Sequence, residues 1–323
     1  MNQIKEKRLR NKIILPIASL FLLCAFMATQ ANSKTDKSGT STLSFLKLGA
    51  SARAVGMGEA FVSFSDGVTT PFWNPASISG VKGTRVSLTH SQWLQDVSAE
   101  HFSSAFRAGG NVFGLSLSLG KVPDIERREE PTADPLALFD AHDVVLSFSY
   151  ARNLKNRCAA GITVKWIYEK IDVSSASGLG FDLGGVWSPF SGSGQSVLGN
   201  LSFGAAILNL GSKIKFEKEA YSLPTRYKAG VSYFAERERW QSDFRASLDL
   251  VKPRDDDSKI HLGGEAGLHQ TLKLRAGYQI GYDEKAVSFG MGVKFRNYSI
   301  DYAFVPYKSD LGDVHYVSLD VQF

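Results

Sequence analysis

The side chains that carry most enzyme and metal chemistry occur in this sequence, but their spacing builds no known catalytic or metal site. None of the six histidines forms an HxxxH pair, the spacing that places two imidazoles on one helix face. The run Asp255-Asp256-Asp257 lacks the spaced ligands and distal Glu of a calcium loop, so a solvated turn is the better interpretation. The stretches GMGEAF and GLGFDLGG depart from the dinucleotide-binding fingerprint, and no Gly-x-Ser-x-Gly elbow occurs. We therefore predict a protein that is not an enzyme and that uses no cofactor and no metal.

The N-terminal residues have the order of a secretory signal peptide. Basic residues precede an apolar run from Ile13 to Ala28, and the small residue Ala31 follows it. This run is too short for a stable transmembrane helix. Residues 1–31 carry five basic side chains and one acidic one, so their removal lowers the formal net charge from +5 to +1. The shorter chain keeps only Cys158, which excludes an intrachain disulfide, and its charge gives no support to nucleic-acid binding.

The rest of the chain alternates apolar and polar residues with a period of two, which is typical of β-strands. In the last segment Val317, Leu319, Val321 and Phe323 share one face, and polar residues occupy the other. The pattern predicts an even number of strands, each near the length that a tilted strand needs to cross a bilayer. These strands are expected at residues 84–92, 98–107, 111–120, 142–152, 157–170, 177–188, 199–209, 224–235, 241–251, 258–269, 272–282, 285–295, 297–306 and 313–323.

Connection lengths favour a membrane barrel over a soluble sandwich, which would show the same alternation. The gaps at 121–141 and 210–223 are long, whereas those at 108–110 and 270–271 are tight, as expected for outer loops and periplasmic turns. We predict an all-β fold, a transmembrane antiparallel β-barrel of about 14 strands. Such a barrel has a backbone radius of roughly 14 Å, too wide for wall side chains to fill, so a hatch or plug segment is expected in the lumen.

Residues 43–80 are the candidate plug. They read LSFLKLGASARAVGMGEAFVSFSDGVTTPFWNPASISG, lack the alternation of the strands, and are rich in small residues that allow backbone to approach backbone. We expect a short strand over residues 59–64 and a turn at Asp66-Gly67.

The same stretch resembles the N-terminal region of the PorV/PorQ family, a branch of the FadL-like (OMPP1/FadL/TodX) outer-membrane barrels. Arg53, Gly56, Met57 and Gly58 match the R-x-x-G-M-G run of that family, and Asn74-Pro75-Ala76 match its Asn-Pro-Ala motif. The resemblance implies a bacterial outer-membrane protein with an N-terminal hatch. The chain is thereby divided into a cleaved signal peptide (1–31), an N-terminal periplasmic or hatch segment (32–83) and an outer-membrane β-barrel (84–323).

Three sets of residues are predicted to matter. In the hatch, Pro75 fixes the backbone, Asn74 bonds to wall or hatch groups, and Trp73 wedges against the lumen wall, which makes a latch. Cationic residues facing the lumen either receive a carboxylate headgroup or, as the favoured interpretation, form salt bridges across strands. The sets are Arg53, Gly56, Met57, Gly58, Trp73, Asn74, Pro75 and Ala76 for the latch; Arg226, Lys228, Arg245, Lys273, Arg275, Lys294 and Arg296 for the lumen; and Tyr316 and Phe323 for membrane insertion.

Two functions remain open at this point. The resemblance implies a non-enzymatic channel or docking barrel, with long-chain fatty acids or other hydrophobic molecules as its solutes. The alternative is a type IX secretion component that binds exported proteins at the outer membrane. The expected partners are outer-membrane lipid, the barrel assembly machinery, and a hydrophobic small molecule or a secreted protein, but not nucleic acid. The loop predicted at 121–141 either contacts such a partner or forms a solvated cap.

Overall fold

The computed structural model describes residues 43–128, 130, 134–189, 201–216, 219–237, 241–308 and 312–323. The predicted signal peptide lies outside these residues. Fourteen antiparallel strands form a closed barrel in which β1 pairs with β16. Among the described residues, no helix has the length and apolar character needed to cross a membrane. The strands of the barrel are β1 Thr84–Gln92, β2 Ser98–Ala108, β3 Asn111–Arg127, β4 Ala137–Asn153, β5 Cys158–Ile171, β6 Ser174–Trp187, β7 Leu201–Gly211, β10 Arg226–Arg237, β11 Ser242–Pro253, β12 Lys259–Leu268, β13 Leu272–Ile280, β14 Val287–Phe295, β15 Tyr298–Pro306 and β16 Asp313–Gln322.

All fourteen predicted strands are present, and their pairing confirms the predicted topology. Part of the predicted loop at 121–141 is strand, because β3 continues to Arg127 and β4 already begins at Ala137. A register shift between Val122 and Ile125 interrupts this extension, which the pattern of alternation therefore missed. A further two-stranded hairpin, β8 Ile214–Phe216 and β9 Glu219–Tyr221, lies in the long connection between β7 and β10.

The two faces of the wall differ as a membrane barrel requires. Large apolar side chains such as Phe148, Phe289 and Ile300 point outward and are exposed, where a bilayer would cover them. Inward-facing positions are polar, as at Ser87 and Thr89, and are buried. Short turns lie at the end that carries the chain terminus, which is the periplasmic end in barrels of this topology.

Residues 43–80, here called the plug, bond to inward-facing side chains of the barrel wall and form short helical turns rather than strands. These are 3-10 helices at Ser44–Lys47, Thr70–Phe72 and Pro75–Gly80, and the α-helix α1 at Ala52–Gly56. The strand predicted over residues 59–64 is absent, so that prediction was wrong. The backbone there bonds to side chains instead: the N–H groups of Phe61 and Val62 donate to Asp249 on the wall.

Candidate functional site

Wall glycines give the plug room to lie directly against the barrel. A side chain at Gly161 would place its Cβ 2.5 Å from the backbone nitrogen of Ala76, and one at Gly184 would place it 1.9 Å from Oδ1 of Asn74. Both distances are below any van der Waals contact. The same crowding against plug atoms holds at Gly114, Gly204, Gly263 and Gly277, and a milder one at Gly290, whose Cβ would lie 3.1 Å from Gly56.

Asn74 fastens the plug both to itself and to the wall. The fully buried side chain donates from Nδ2 to the carbonyl of Val62 in the plug (2.7 Å) and to that of Gly185 on β6 (3.0 Å). Its Oδ1 accepts from the backbone N–H of Ala76 at 3.0 Å, which caps the 3-10 helix that begins at Pro75. The side chain therefore uses both donors and one acceptor position at a buried junction, and its role as a latch stays a prediction.

Trp73 does not wedge against the wall as predicted. Its ring packs edge-on against Phe61 (5.5 Å between centroids) and Phe72 (5.1 Å) inside the plug. This buried cluster also contains Met57, the middle residue of the family motif's G-M-G run. Trp73 therefore belongs to the plug's own apolar cluster, where edge-on aromatic contacts are favourable.

Arg53 joins the plug to an ionic network on the wall. Its guanidinium binds Glu265 on β12 through two hydrogen bonds (2.9 and 3.0 Å) and Asp66 in the plug at 3.1 Å. Arg245 on β11 also binds Asp66. Burial alone would raise the pKa of Asp66, but Arg53 and Arg245 outweigh it and hold that pKa below its ordinary value. The carboxylate of Asp66 is therefore a stable anion between two arginines.

The network continues into the wall through Arg275 on β13. Its guanidinium binds Glu265 at 2.7 Å and Asp301 on β15 at 2.6 Å. Arg275, Glu265 and Asp301 are all buried. Buried charges require such pairing, because an unpaired one is costly in a low-dielectric interior.

Asp249 on β11 is a second anchor that sequence reasoning did not single out. One carboxylate oxygen accepts the consecutive N–H groups of Phe61 and Val62, at 2.7 and 2.9 Å. Further wall side chains bind the plug backbone: Ser318 accepts from the N–H of Ala52, and Ser288 accepts from that of Gly58. In the sequence, such residues would be recognised as polar side chains at the inward-facing positions of a strand. A plug segment whose backbone has no strand partner needs such side chains as hydrogen-bond acceptors.

The predicted lumen cations fall into three groups. Arg245, Lys273 and Arg275 form ion pairs with acids, Lys273 with Asp243. Arg226 and Lys228 are buried, and no described carboxylate lies within 4 Å of either. Lys294 and Arg296 are exposed near the periplasmic end.

The two residues predicted for membrane insertion face opposite ways. Tyr316 points into the lumen, is 2% exposed, and accepts a hydrogen bond from the indole N–H of Trp93 at 2.7 Å. Phe323 points outward and is 73% exposed. Of the two residues, only Phe323 therefore faces the surrounding lipid. A role in membrane insertion stays a prediction for both.

Two cavities lie one above the other between the plug and strands β2–β6. The upper cavity has a volume of about 30 Å³, enough for about two water molecules. Hydroxyl groups such as Ser147 and Thr163 form its wall side, and Phe45 and Phe72 form its plug side. The lower cavity is about 480 Å³ and reaches the periplasmic end at Arg107. The 3-10 helix Pro75–Gly80 separates the two.

Solved structures with the same fold include two hydrocarbon transport proteins and a FadL homologue. The CymD monoaromatic hydrocarbon channel has a TM-score of 0.58 at 13% identity, covering 85% of this chain and 98% of that one. The Pseudomonas putida toluene transporter TodX has a TM-score of 0.55 at 13% identity, covering 84% and 96%. A Pseudomonas aeruginosa FadL homologue has a TM-score of 0.53 at 13% identity, covering 91% and 99%. No curated protein matches the sequence significantly.

The family comparison covers most of the chain. The profile of the family described as type IX secretion system protein PorV matches residues 30–238, which include the plug and its motifs. Together with the barrel, this match places the protein in the bacterial outer membrane. The chain belongs to the PorV family and has the FadL-like barrel fold.

Proposed function

We propose that the protein is a non-enzymatic, gated channel of the outer membrane, closed at rest by its own plug. The observation that carries the proposal is the pair of cavities on the β2–β6 side. They are separated by one short turn, Pro75–Gly80, whose Ala76 faces the wall glycine Gly161. Displacement of this turn would join the two cavities while the bonds of the plug to β11–β15 stayed in place.

Hydrophobic small molecules are the proposed solutes. The plug side of the upper cavity is apolar and aromatic, with Phe45 and Phe72 around it. The structural neighbours named as a monoaromatic hydrocarbon channel and a toluene transporter share this fold, which is compatible with the proposal. Since the upper cavity holds only about two waters, passage requires the aromatic side chains of the plug to move.

Of the predicted lumen cations, Arg226 and Lys228 are the best candidates to bind the carboxylate headgroup of a fatty acid. Arg245, Lys273 and Arg275 are bound to acids, whereas the Lys228 ammonium is buried without a hydrogen-bond partner among the described residues. Arg226 donates to the carbonyl of Leu46 in the plug at 2.9 Å, so a ligand there would meet the plug. Lys228→Gln is expected to reduce fatty-acid uptake, while Lys273→Gln, which removes an already paired cation, serves as the matched control.

Uptake by whole cells tests the channel. Cells that express the protein are compared with cells carrying an empty vector, using labelled oleate, labelled toluene and, as a polar control, labelled sucrose. Faster entry of oleate or toluene without faster entry of sucrose is the expected result. Equal entry of all three solutes with and without the protein would contradict a channel for hydrophobic molecules.

Docking of exported proteins is the second candidate, and the family description favours it. The rim formed by the extended hairpin β3–β4 and its exposed Leu138 is the proposed contact surface. Purification of the protein from native membranes followed by mass spectrometry distinguishes the candidates. Stoichiometric exported protein, lost when residues 124–138 are replaced by a short turn, supports docking, whereas co-purified lipid alone counts against it.

The export and assembly of the chain follow from the same proposal. Residues 1–31 act as a cleaved signal, residues 32–83 form the hatch segment, and residues 84–323 are inserted by the barrel assembly machinery. N-terminal sequencing of the mature protein tests the first boundary: a start at residue 32 supports cleavage, and an intact Met1 contradicts it.

A further inference from the structure

A third and larger cavity, here called the periplasmic cup, lies below the plug on the β11–β16 side. Its volume is about 530 Å³, and its lining reaches the periplasmic turn at Arg296 and Asn297. This size is in the range of ligand sites, roughly 300–1,000 Å³. The inner end of the cup is closed by the plug residues Arg53, Phe61 and Asp66. A molecule therefore enters the cup only from the periplasm and cannot pass through it.

The floor of the cup contributes no net charge. Arg53, Arg245 and Arg275 are bound to Asp66, Glu265 and Asp301, so three cations are matched by three anions. Slightly farther out, Lys273 is bound to Asp243. These bonds leave the inner part of the cup polar but electrically balanced.

The rim of the cup is positively charged. Lys82, Lys294 and Arg296 line it, and no carboxylate of the described residues lies within 4 Å of their cationic groups. Arg85 lines it as well and binds only neutral groups, the carbonyl of Asp66 and the side-chain amide of Gln322, while its Nε has no partner among the described residues.

Two acids of the lining oppose these four cations. Glu236 and Asp320 form no ion pair within the described part of the chain, which leaves the rim with an excess of positive charge. Unpaired cations around a concave site attract anions, and the low-dielectric walls of a cleft concentrate that field.

Neutral polar groups complete the lining. Gln270, Asn297 and Ser299 add amide and hydroxyl groups to the lining. Asn297 donates to the carbonyl of Gln322 and Ser299 donates to Asp301, so their side-chain oxygens are left to accept from the N–H groups of a peptide backbone. A lipid chain would desolvate these groups and the charged floor without replacing their hydrogen bonds, so the lining disfavours an apolar occupant.

We propose that the periplasmic cup binds a short acidic peptide segment of a periplasmic protein. Its carboxylates meet Lys82, Arg85, Lys294 and Arg296 at the rim, and its backbone meets the neutral polar groups within. The plug stays closed during this binding, so the proposal goes beyond solute passage and does not depend on it. Because rim pairs are exposed, the affinity falls as salt screens the charges.

The test uses purified mature protein in detergent micelles and a fluorescein-labelled hexaglutamate peptide, with binding followed by fluorescence anisotropy. The double variant Lys294→Glu and Arg296→Glu should lower the affinity by at least about tenfold, since it reverses two of the contacts. The matched control is Lys213→Glu and Lys215→Glu, two exposed cations beyond β7 at the opposite end of the barrel. Heat-modifiable migration in a gel confirms that each variant is folded.

Two competitors define the chemistry. Unlabelled hexaglutamate should displace the probe, and a Gly-Ser peptide of the same length should not. Free glutamate at the same carboxylate concentration should compete poorly. Equal binding by the rim variant and the opposite-end control would overturn the proposal. Equal competition by free glutamate would instead assign the cup to small carboxylates and overturn the claim for a peptide.

Discussion

The plug is held differently on its two sides. On the β11–β15 side, charged side chains grip it: Asp249 binds two consecutive N–H groups, and Arg53 reaches Glu265 through two hydrogen bonds. On the β2–β6 side, the plug is held by hydrogen bonds to carbonyl groups and by close packing. Arg107 and Asn153 donate to the carbonyl of Ser79, Ala76 packs against Gly161, and cavities lie above and below this turn. The first side holds the plug through buried ion pairs and a carboxylate, whereas the second holds one turn through bonds to neutral carbonyls, with cavity space on either side of it.

Charged side chains and small residues therefore have different roles in the same lumen: the charges anchor the plug, and the small residues let one turn pack closely against the wall. Removal of a charge on the β11–β15 side should loosen the whole plug, because buried backbone donors lose their acceptor. Added bulk on the β2–β6 side should displace only the turn Pro75–Gly80 and so raise conductance with little loss of stability.

The largest effect is expected from Asp249→Ala. It leaves the N–H groups of Phe61 and Val62 buried without an acceptor, at a cost of about 1–3 kcal/mol for each. The free energy of unfolding should fall accordingly, and trypsin should gain access to Arg53 in the plug. Thermal denaturation and limited proteolysis measure both effects. Asp249→Asn retains an acceptor oxygen and should recover part of the loss; if Asp249→Ala is as stable and protease-resistant as the wild type, Asp249 is not an anchor.

Gly161→Ala should come next and should act mainly on conductance. Its Cβ would lie 2.5 Å from the backbone nitrogen of Ala76, so the turn Pro75–Gly80 must shift. Gly264→Ala is the matched control, because the nearest atoms to its Cβ lie 4.0 Å away. Planar-bilayer recordings should show openings for the first variant and none for the second. Similar recordings from the two variants would remove the steric contact as the determinant of closure.

Asn74→Ala should have a smaller effect in the same direction. It removes the bonds from Nδ2 to Val62 and Gly185 and the cap of the turn, each worth about 0.5–1.5 kcal/mol. Cells that express this variant should become more sensitive to large antibiotics. Asn153→Ala, which removes one bond to the carbonyl of Ser79 from an exposed side chain, should change sensitivity little. Unchanged sensitivity for Asn74→Ala would contradict the latch.

The smallest expected effect is the change of plug stability with pH. The pKa of Asp66 is lowered in the folded protein, so its contribution to stability is complete above the ordinary value of 3.8 and is lost only as the pH falls through the lowered value. Plug stability should therefore not change through this group between about pH 5 and pH 8. Asp66→Asn should reduce stability modestly across that whole range. A loss of wild-type plug stability near pH 6 that is absent from Asp66→Asn would show that Asp66 titrates there.

The barrel could be predicted from the sequence because alternation reports directly on two faces of different polarity. The alternation predicted all fourteen strands, and for β1 it predicted the first and last residue correctly. It missed the outer extensions of β3 and β4, because a register shift interrupts the alternation there. The Asn74-Pro75 junction could be singled out because Asn-Pro is locally distinctive. Asp249 and Glu265 were not singled out as plug anchors, since their partners lie far away in sequence and only barrel closure brings them to the plug. Trp73 was assigned to the wall because an aromatic residue beside a latch gives no sign of which neighbour it packs against.

The conductance of the wild-type protein in a planar bilayer tests the central claim most directly, namely that the plug closes the lumen at rest. The bonds and contacts around residues 43–80 predict no steady ohmic current, with at most brief openings as the turn Pro75–Gly80 moves. A constant current of the size expected for an empty 14-strand barrel would contradict the claim.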